Sequence, residues 1–81
     1  MRRPIEVGTP DWKALEGVLS PEDCADFMYM GHAGGIALYK HCDTRRYLNI
    51  DAAPGRFYRY TDGDYIEIDR KQAIDHVYRT I

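Results

Sequence analysis

The segment YKHCDTRRYLNID, residues 39–51, decides the predicted fold, because two alternating stretches flank its polar centre. Apolar or aromatic side chains recur at every second position on each side of residues 42–44. A period of two is typical of β-strands, whose successive side chains point to opposite faces of a sheet. The segment therefore predicts two antiparallel strands joined by a tight turn at residues 42–44.

The alternation extends from residue 36 to residue 68, so the same reasoning predicts two further strands. The stretches RFYRYT and DYIEI flank Asp62 and Gly63, a dipeptide suited to a type I′ turn because both central residues adopt positive φ. The stretch AAPG, residues 52–55, predicts a turn between the two hairpins. These segments together predict an antiparallel meander of four strands.

Three helices are predicted from their start signals. Thr9 is followed by proline, ahead of a short amphipathic stretch. Ser20 is followed by proline and two acidic residues, which predicts a second helix that ends at Gly31. Asp69 is placed to cap a C-terminal helix with one apolar face. The predicted order of elements is therefore α-α-β-β-β-β-α.

Length and composition indicate one small globular domain. The chain has 81 residues, of which 44% are hydrophobic and 30% are charged, and these values are ordinary for a folded soluble protein. The predicted fold class is α+β, with the four-stranded antiparallel meander packed against the C-terminal helix. Residues 9–81 are predicted to form this domain, preceded by a flexible N-terminal arm at residues 1–8.

The sequence carries no signal for export or for membrane insertion. Two arginines near the N-terminus have no apolar stretch behind them, so no secretory signal is predicted. No apolar run approaches the roughly 20 residues that cross a bilayer. Cys24 and Cys42 are too few for a disulfide framework and are interpreted as reduced thiols. We therefore expect a cytoplasmic protein with no membrane partner.

Parity along the strands predicts a sheet with two chemically different faces. A three-residue turn in the first hairpin and a two-residue turn in the second determine which side chains share a face. The predicted aliphatic face contains Ile36, Leu38, Leu48, Ile50, Phe57, Ile66 and Ile68. The predicted tyrosine face contains Tyr39, His41, Arg45, Tyr47, Asn49, Tyr58, Tyr60, Tyr65 and Glu67. The C-terminal helix is expected to cover the aliphatic face, whereas the N-terminal helices either cover the tyrosine face or leave it exposed.

The tyrosine face is the predicted binding site. Rigid aromatic side chains beside arginines dominate protein interfaces, because they bury a large area at low entropic cost. The residues predicted to bind are Tyr39, His41, Arg45, Tyr47, Asn49, Tyr58, Tyr60 and Tyr65. This composition predicts a non-catalytic regulatory or accessory module that docks a protein partner or a second copy of itself.

Single-stranded nucleic acid is the alternative partner, since arginines interleaved with aromatic residues can meet phosphates and stack bases. Residues 36–60 carry five lysines and arginines against two acidic residues. The whole chain, however, has a net charge of −2 and a pI of about 5.8, whereas nucleic-acid-binding domains are typically basic. The sequence therefore favours a protein partner over nucleic acid.

No catalytic residue, metal site or cofactor site is predicted. His41 and Cys42 point apart if the strand continues through Cys42, and Asp75 and His76 diverge by about 100° on a predicted helix. The stretch GHAGG, residues 31–35, lacks the order of a phosphate-binding loop and is interpreted as a helix end with a flexible link. The cysteines and histidines lack the paired short spacing of zinc ligands. We expect neither enzymatic activity nor a small-molecule substrate.

Overall fold

The computed structural model describes residues 5–6, 11–51 and 55–79 of the chain. One antiparallel sheet holds six strands in chain order, of which the first has only two residues. The strands are β1 (Ile5–Glu6), β2 (Phe27–Ala33), β3 (Ile36–His41), β4 (Tyr47–Asp51), β5 (Phe57–Thr61) and β6 (Asp64–Ile68). The helices are α1 (Lys13–Glu16), α2 (Pro21–Cys24) and α3 (Arg70–Tyr78). The predicted α+β class is confirmed, with more strands than the predicted four.

Strand β2 accounts for the main difference, since it occupies residues predicted to be helical. The start signal is genuine: α2 begins at Pro21, and the Ser20 hydroxyl accepts a hydrogen bond from the Asp23 N–H at 3.2 Å. The helix nevertheless ends after one turn at Cys24. From Phe27 onward, buried and exposed side chains begin to alternate on an aromatic-rich segment that suits a strand. The prediction of a helix reaching Gly31 was therefore wrong.

Residues 5–6 of the predicted N-terminal arm belong to the sheet. Within the predicted arm, Ile5 and Glu6 pair with Ala33 and His32 at the edge of β2. The remaining residues of that arm, the predicted cap Thr9 and the predicted turn at residues 52–54 lie outside the described residues. In the part that is described, no helix is long and apolar enough to cross a membrane.

The GHAGG stretch forms a hairpin rather than a flexible link. Ala33 lies opposite Ile36, so Gly34 and Gly35 are the two-residue loop between β2 and β3. Gly34 has φ of 62°, a conformation that costs glycine little because it has no Cβ. Both predicted hairpins are thus preceded by a third.

The turn between β3 and β4 is one residue longer than predicted, and this difference changes the faces of the sheet. The His41 N–H donates to the Arg46 carbonyl at 2.9 Å, which leaves a four-residue loop at residues 42–45 with Arg45 at φ of 64°. Tyr39 consequently lies opposite Leu48. A one-residue shift moves every side chain of a strand to the other face. The predicted grouping of Tyr39 and His41 with the other site residues was therefore wrong, as was that of Ile36 and Leu38 with Leu48 and Ile50.

All three helices pack on the same side of the sheet, which we call the helix-covered face. It contains Phe27, Tyr29, Ala37, Tyr39, His41, Leu48, Ile50 and Phe57. Leu15 of α1 and Val77 of α3 are fully buried in the core cluster on this face. Tyr39 is fully buried there as well, and its hydroxyl donates to the Asp11 carbonyl at 2.6 Å. The N-terminal helices therefore do not cover the opposite side.

Side chains of the β3–β4 loop connect the first hairpin to the last helix. His41 Nδ1 accepts hydrogen bonds from the N–H groups of Asp43 and Thr44 at 3.1 and 3.3 Å. The Thr44 hydroxyl donates to the Val77 carbonyl at 2.7 Å, near the end of α3. A carbonyl in the last turn of a helix has no partner within the helix, so this bond satisfies it. His41 thus has a structural role in the loop.

The second hairpin forms as predicted. Thr61 lies opposite Asp64 and Tyr60 lies opposite Tyr65, which leaves a two-residue loop. Its residues Asp62 and Gly63 have φ of 53° and 81°, the positive values that a type I′ turn requires. The placement of the tyrosines of β5 and β6 on one side of this hairpin is therefore confirmed.

Candidate binding site

The face of the sheet opposite the helices carries most of the tyrosines. It contains Ile36, Leu38, Lys40, Tyr47, Asn49, Asp51, Tyr58, Tyr60, Tyr65 and Glu67. Ala33, Ile36 and Leu38 form a small second core, and Tyr58 and Tyr65 pack against it. This face is therefore partly closed by its own side chains.

Contact between Tyr65 and this second core shows that the sheet is curled. Tyr65 is on β6, three strands away from β3, which supplies Ile36 and Leu38. Three strand spacings would amount to about 14 Å on a flat sheet, farther than a tyrosine side chain reaches. Curling of the β5–β6 hairpin toward β3 removes that distance and makes the tyrosine-bearing face concave.

The pairing between β4 and β5 stops before the strands do. Only Asn49 with Tyr58 and Ile50 with Phe57 are register partners, although β4 begins at Tyr47 and β5 continues to Thr61. In a continuous ladder, Tyr47 would lie opposite Tyr60. The two strands instead diverge beyond Asn49 and Tyr58, and the sheet is open between them.

A cavity of about 550 Å³ occupies this opening and is called the β4–β5 cavity here. From the concave face it is lined by Leu38, Tyr47, Asn49, Tyr58, Tyr60 and Tyr65. From the helix-covered face it is lined by Arg46, Arg59, Ile68, Ala73 and His76. A continuous sheet would separate these two sets of side chains, because successive residues of a strand point to opposite faces. The divergence of the strands is what brings tyrosines and arginines into one cavity.

The tyrosines differ in how firmly they are held. The rings of Tyr60 and Tyr65 are 4.9 Å apart between centroids, and the Tyr58 hydroxyl donates to Asp51 Oδ2 at 3.3 Å. Tyr47 and Tyr60 are 37% and 42% exposed. Tyr58 and Tyr65 are thus held by neighbouring groups, whereas Tyr47 and Tyr60 are the more exposed rings of the lining.

Asn49 is the buried polar residue of the lining, since it is only 2% exposed. Its Nδ2 donates to the Tyr58 carbonyl at 3.2 Å, whereas its Oδ1 is a buried acceptor without a hydrogen-bond partner among the described residues. Such an unmet acceptor costs about 1–3 kcal/mol in stability. This acceptor belongs to the last β4 residue that pairs with β5 at the edge of the opening.

The cationic side of the cavity has no neutralising carboxylate in the described part of the chain. Arg46 and Arg59 make no ion pair there, where the one salt bridge joins Arg79 to Asp75. Burial lowers the pKa of His76 below its ordinary 6.5, and repulsion from Arg46, Arg59 and Arg79 lowers it further. His76 is therefore mainly neutral at pH 7, beside two unpaired guanidinium groups.

The structure brings together five of the eight residues predicted to bind. Tyr47, Asn49, Tyr58, Tyr60 and Tyr65 line the cavity. The other three do not: Tyr39 and His41 lie in the core, and Arg45 is exposed in the β3–β4 loop. Sequence reasoning missed Arg46, Arg59 and His76, because their convergence depends on the gap between the strands, for which the sequence shows no local signal.

The described residues contain no cluster of three potential metal ligands. No family model, curated protein sequence or solved structure matches this chain. The function proposed for the site accordingly depends on its own geometry.

Proposed function

We propose that this chain is a non-catalytic accessory protein that binds an acidic segment of a partner protein in the β4–β5 cavity. The observation that carries the proposal is the cavity itself, where two unpaired arginines stand beside four tyrosines. Its volume of about 550 Å³ falls within the range of roughly 300–1,000 Å³ typical of ligand sites.

Charge complementarity identifies the chemistry of the segment. Arginine binds carboxylates through two parallel hydrogen bonds, and the unpaired state of Arg46 and Arg59 leaves both available. Exposed tyrosines such as Tyr47 and Tyr60 bury apolar surface while their hydroxyl groups stay hydrated. A peptide with an acidic residue next to an aliphatic or aromatic one satisfies both halves of the cavity.

The tyrosines are less suited to single-stranded nucleic acid, the alternative partner. Stacking of bases requires open ring faces arranged along a platform. Tyr60 and Tyr65 pack against each other, and the ammonium group of Lys40 lies 5.9 Å from the ring centroid of Tyr47. A concave cavity lined by mutually packed rings favours side chains over a row of bases.

Self-association by adding a strand to β6 is disfavoured. The Tyr65 N–H is bonded to Asp64 Oδ1 at 2.8 Å, and Glu67 places a carboxylate on the same strand. An edge strand discourages pairing with a further strand when it carries charges and when its outward N–H groups are already hydrogen-bonded within the strand. We therefore propose a different protein rather than a second copy as the partner, and propose the cytoplasm as its location because the thiol of Cys42 is free and exposed.

The proposal is tested with short labelled peptides that combine Asp or Glu with Leu or Tyr, against the same peptides carrying Lys in place of the acids. We expect the acidic set to bind and Arg59→Gln to weaken binding about tenfold or more, since a charge-assisted hydrogen bond contributes about 1.5–3 kcal/mol. Arg45→Gln is the matched control, because it removes the same charge from an exposed residue of the β3–β4 loop that does not line the cavity.

Two results would contradict the proposal. Equal binding of the acidic and lysine peptides would show that the arginines do not select the ligand. Binding of oligo-dT with a steep salt dependence, without binding of acidic peptides, would establish the nucleic-acid alternative instead.

A further inference from the structure

His76 lies where the cavity meets the end of helix α3. Arg46 Nη1 donates to the His76 carbonyl at 3.4 Å, so the guanidinium of this residue, which directly precedes β4, reaches the last turn of the helix. Arg59 approaches from β5 and lines the same cavity. Three basic side chains from three separate elements therefore converge on one wall.

The charged groups around His76 are nearly all positive. Burial is the main cause of the lowered pKa of His76, and Arg46 before β4, Arg59 of β5 and Arg79 next to α3 each disfavour its protonation further. Asp75 precedes it on α3, but this carboxylate is paired with Arg79 at 2.6 Å. The cluster therefore concentrates positive charge, which together with burial favours the neutral form of the imidazole.

We propose that Arg46, Arg59 and His76 form an oxyanion subsite in the β4–β5 cavity, and that His76 takes up a proton when a carboxylate or phosphate group binds there. The inference deepens the proposed function, because the acidic residue of the partner segment would supply the oxyanion.

The physical reason for proton uptake is that an anion reverses the local electrostatics. A negative group between the two arginines offsets their repulsion of an imidazolium, and the imidazolium in turn donates a second charge-assisted hydrogen bond to the anion. The binding of the proton and the binding of the anion are reciprocal, since each changes the affinity of the protein for the other by the same factor. A rise of one unit in the pKa of His76 on binding corresponds to a gain in anion affinity of up to tenfold.

The sign of the pH dependence follows from the two protonation states. At high pH His76 is neutral in both the free and the bound protein, so affinity is at its lower limit. As the pH falls through the pKa of the bound state, the complex gains a proton that the free protein lacks, and affinity rises. It stops rising once His76 is protonated in the free protein as well.

The test uses sulfate and acetate as defined oxyanions, because neither titrates near the pKa of histidine. The ring proton shifts of His76 are followed by NMR over pH with and without each anion, and affinities are measured between about pH 5.5 and 7.5. We expect the pKa of His76 to rise with the anion and affinity to increase up to tenfold at the lower pH. Binding of acetate without binding of sulfate would indicate a carboxylate ligand, and binding of sulfate without binding of acetate would indicate a phosphorylated ligand.

Variants distinguish the contribution of His76 to the pH dependence of anion binding from that of other residues. His76→Gln should still bind the anion through the arginines but with a flat pH profile, whereas His32→Gln on β2 should keep the full pH dependence. An unshifted His76 pKa at saturating anion, or full pH dependence in His76→Gln, would overturn the inference. If anions raise the pKa of His76 but acidic peptides do not bind, the subsite is supported and the peptide is refuted as its ligand. If acidic peptides bind but the pKa of His76 does not change, only the role of His76 is refuted.

Discussion

Replacement of Tyr39 by phenylalanine should lower the free energy of unfolding by about 1 kcal/mol. The ring is fully buried and is kept in the variant, so no cavity forms and packing against Trp12, 5.6 Å away between centroids, is preserved. What is lost is the hydrogen bond from the Tyr39 hydroxyl to the Asp11 carbonyl. A net hydrogen bond contributes about 0.5–1.5 kcal/mol. Because Asp11 is only partly buried, water can take over its carbonyl and the larger penalty of an orphaned acceptor is avoided.

The effect is measured by urea unfolding, followed through the fluorescence of Trp12. For a domain of this length, 1 kcal/mol corresponds to a decrease in Tm of roughly 4–8 °C. Tyr60→Phe is the matched control, because that residue is 42% exposed and should change stability by less than about 0.5 kcal/mol. Equal stability of Tyr39→Phe and the unaltered chain, or an equal loss in both variants, would refute the stabilising hydrogen bond from Tyr39 to Asp11.

Ionisation of Tyr39 provides an independent check. Burial raises its pKa from 10.0 to about 12, so the folded chain holds this proton more tightly than the unfolded chain. The stability that results is fully present below pH 10 and is lost as the pH rises toward 12. In an absorbance titration, the ionisation of Tyr39 in the folded chain should therefore occur at a higher pH than in urea.

Four further substitutions probe other parts of the structure. Asp69→Ala should cost about 1 kcal/mol in urea unfolding, since its carboxylate accepts a 2.7 Å hydrogen bond from the N–H three residues later at the start of α3; no change would contradict the cap. Gly63→Ala should cost about 1–2 kcal/mol because its φ is 81°, whereas Gly35→Ala, outside the positive-φ region, should be near neutral. An NMR titration should place the pKa of His76 below 6.5 and show it rising in Arg46→Gln. Its depressed pKa means that the unfolded chain binds more protons, so stability should fall as the solution is acidified through this range; an increase would refute the described surroundings.

The two predicted hairpins show which turns a sequence can specify. The second was predicted with its register, because Asp62 and Gly63 adopt positive φ readily and few other turns suit that dipeptide. In the first, every residue from Cys42 to Arg46 is polar or small and suits a turn, so composition does not distinguish a loop of three residues from one of four. The four-residue loop is supported by a distant contact, namely the hydrogen bond from Thr44 to Val77 in α3.

The same dependence on contacts between distant residues explains why strand β2 was not predicted. The capping signals at Ser20 are local and correctly predicted where α2 begins. Where it ends depends on pairing: Phe27 lies opposite His41, far along the chain, and the Cys42 N–H donates to the Asp26 carbonyl. The aromatic-rich run FMYM, residues 27–30, was the available signal, but Cys24, Phe27 and Met28 also fit a helical spacing of apolar residues.

For the candidate site, alternation was enough to group the tyrosines of β5 and β6 but not to place Tyr39. Tyr39 was assigned to the tyrosine face because a three-residue turn was predicted between β3 and β4. The observed four-residue loop places Tyr39 on the helix-covered face instead. The arginines were missed for a different reason. Arg59 and Tyr58 are adjacent on β5 and point to opposite faces, so only a break in the sheet lets both line one cavity. Where a ladder stops is a property of the whole sheet, not of either residue.

The bond from Thr44 to Val77 spans 33 residues of chain and has a consequence for biosynthesis. A ribosome releases the first hairpin well before it releases the helix that pins the loop. Until residue 77 has emerged, nothing from α3 opposes the competing three-residue turn, which would expose Leu48 and Ile50 on the wrong side. We therefore expect the nascent hairpin to sample both alignments and to commit to one only when the last helix docks.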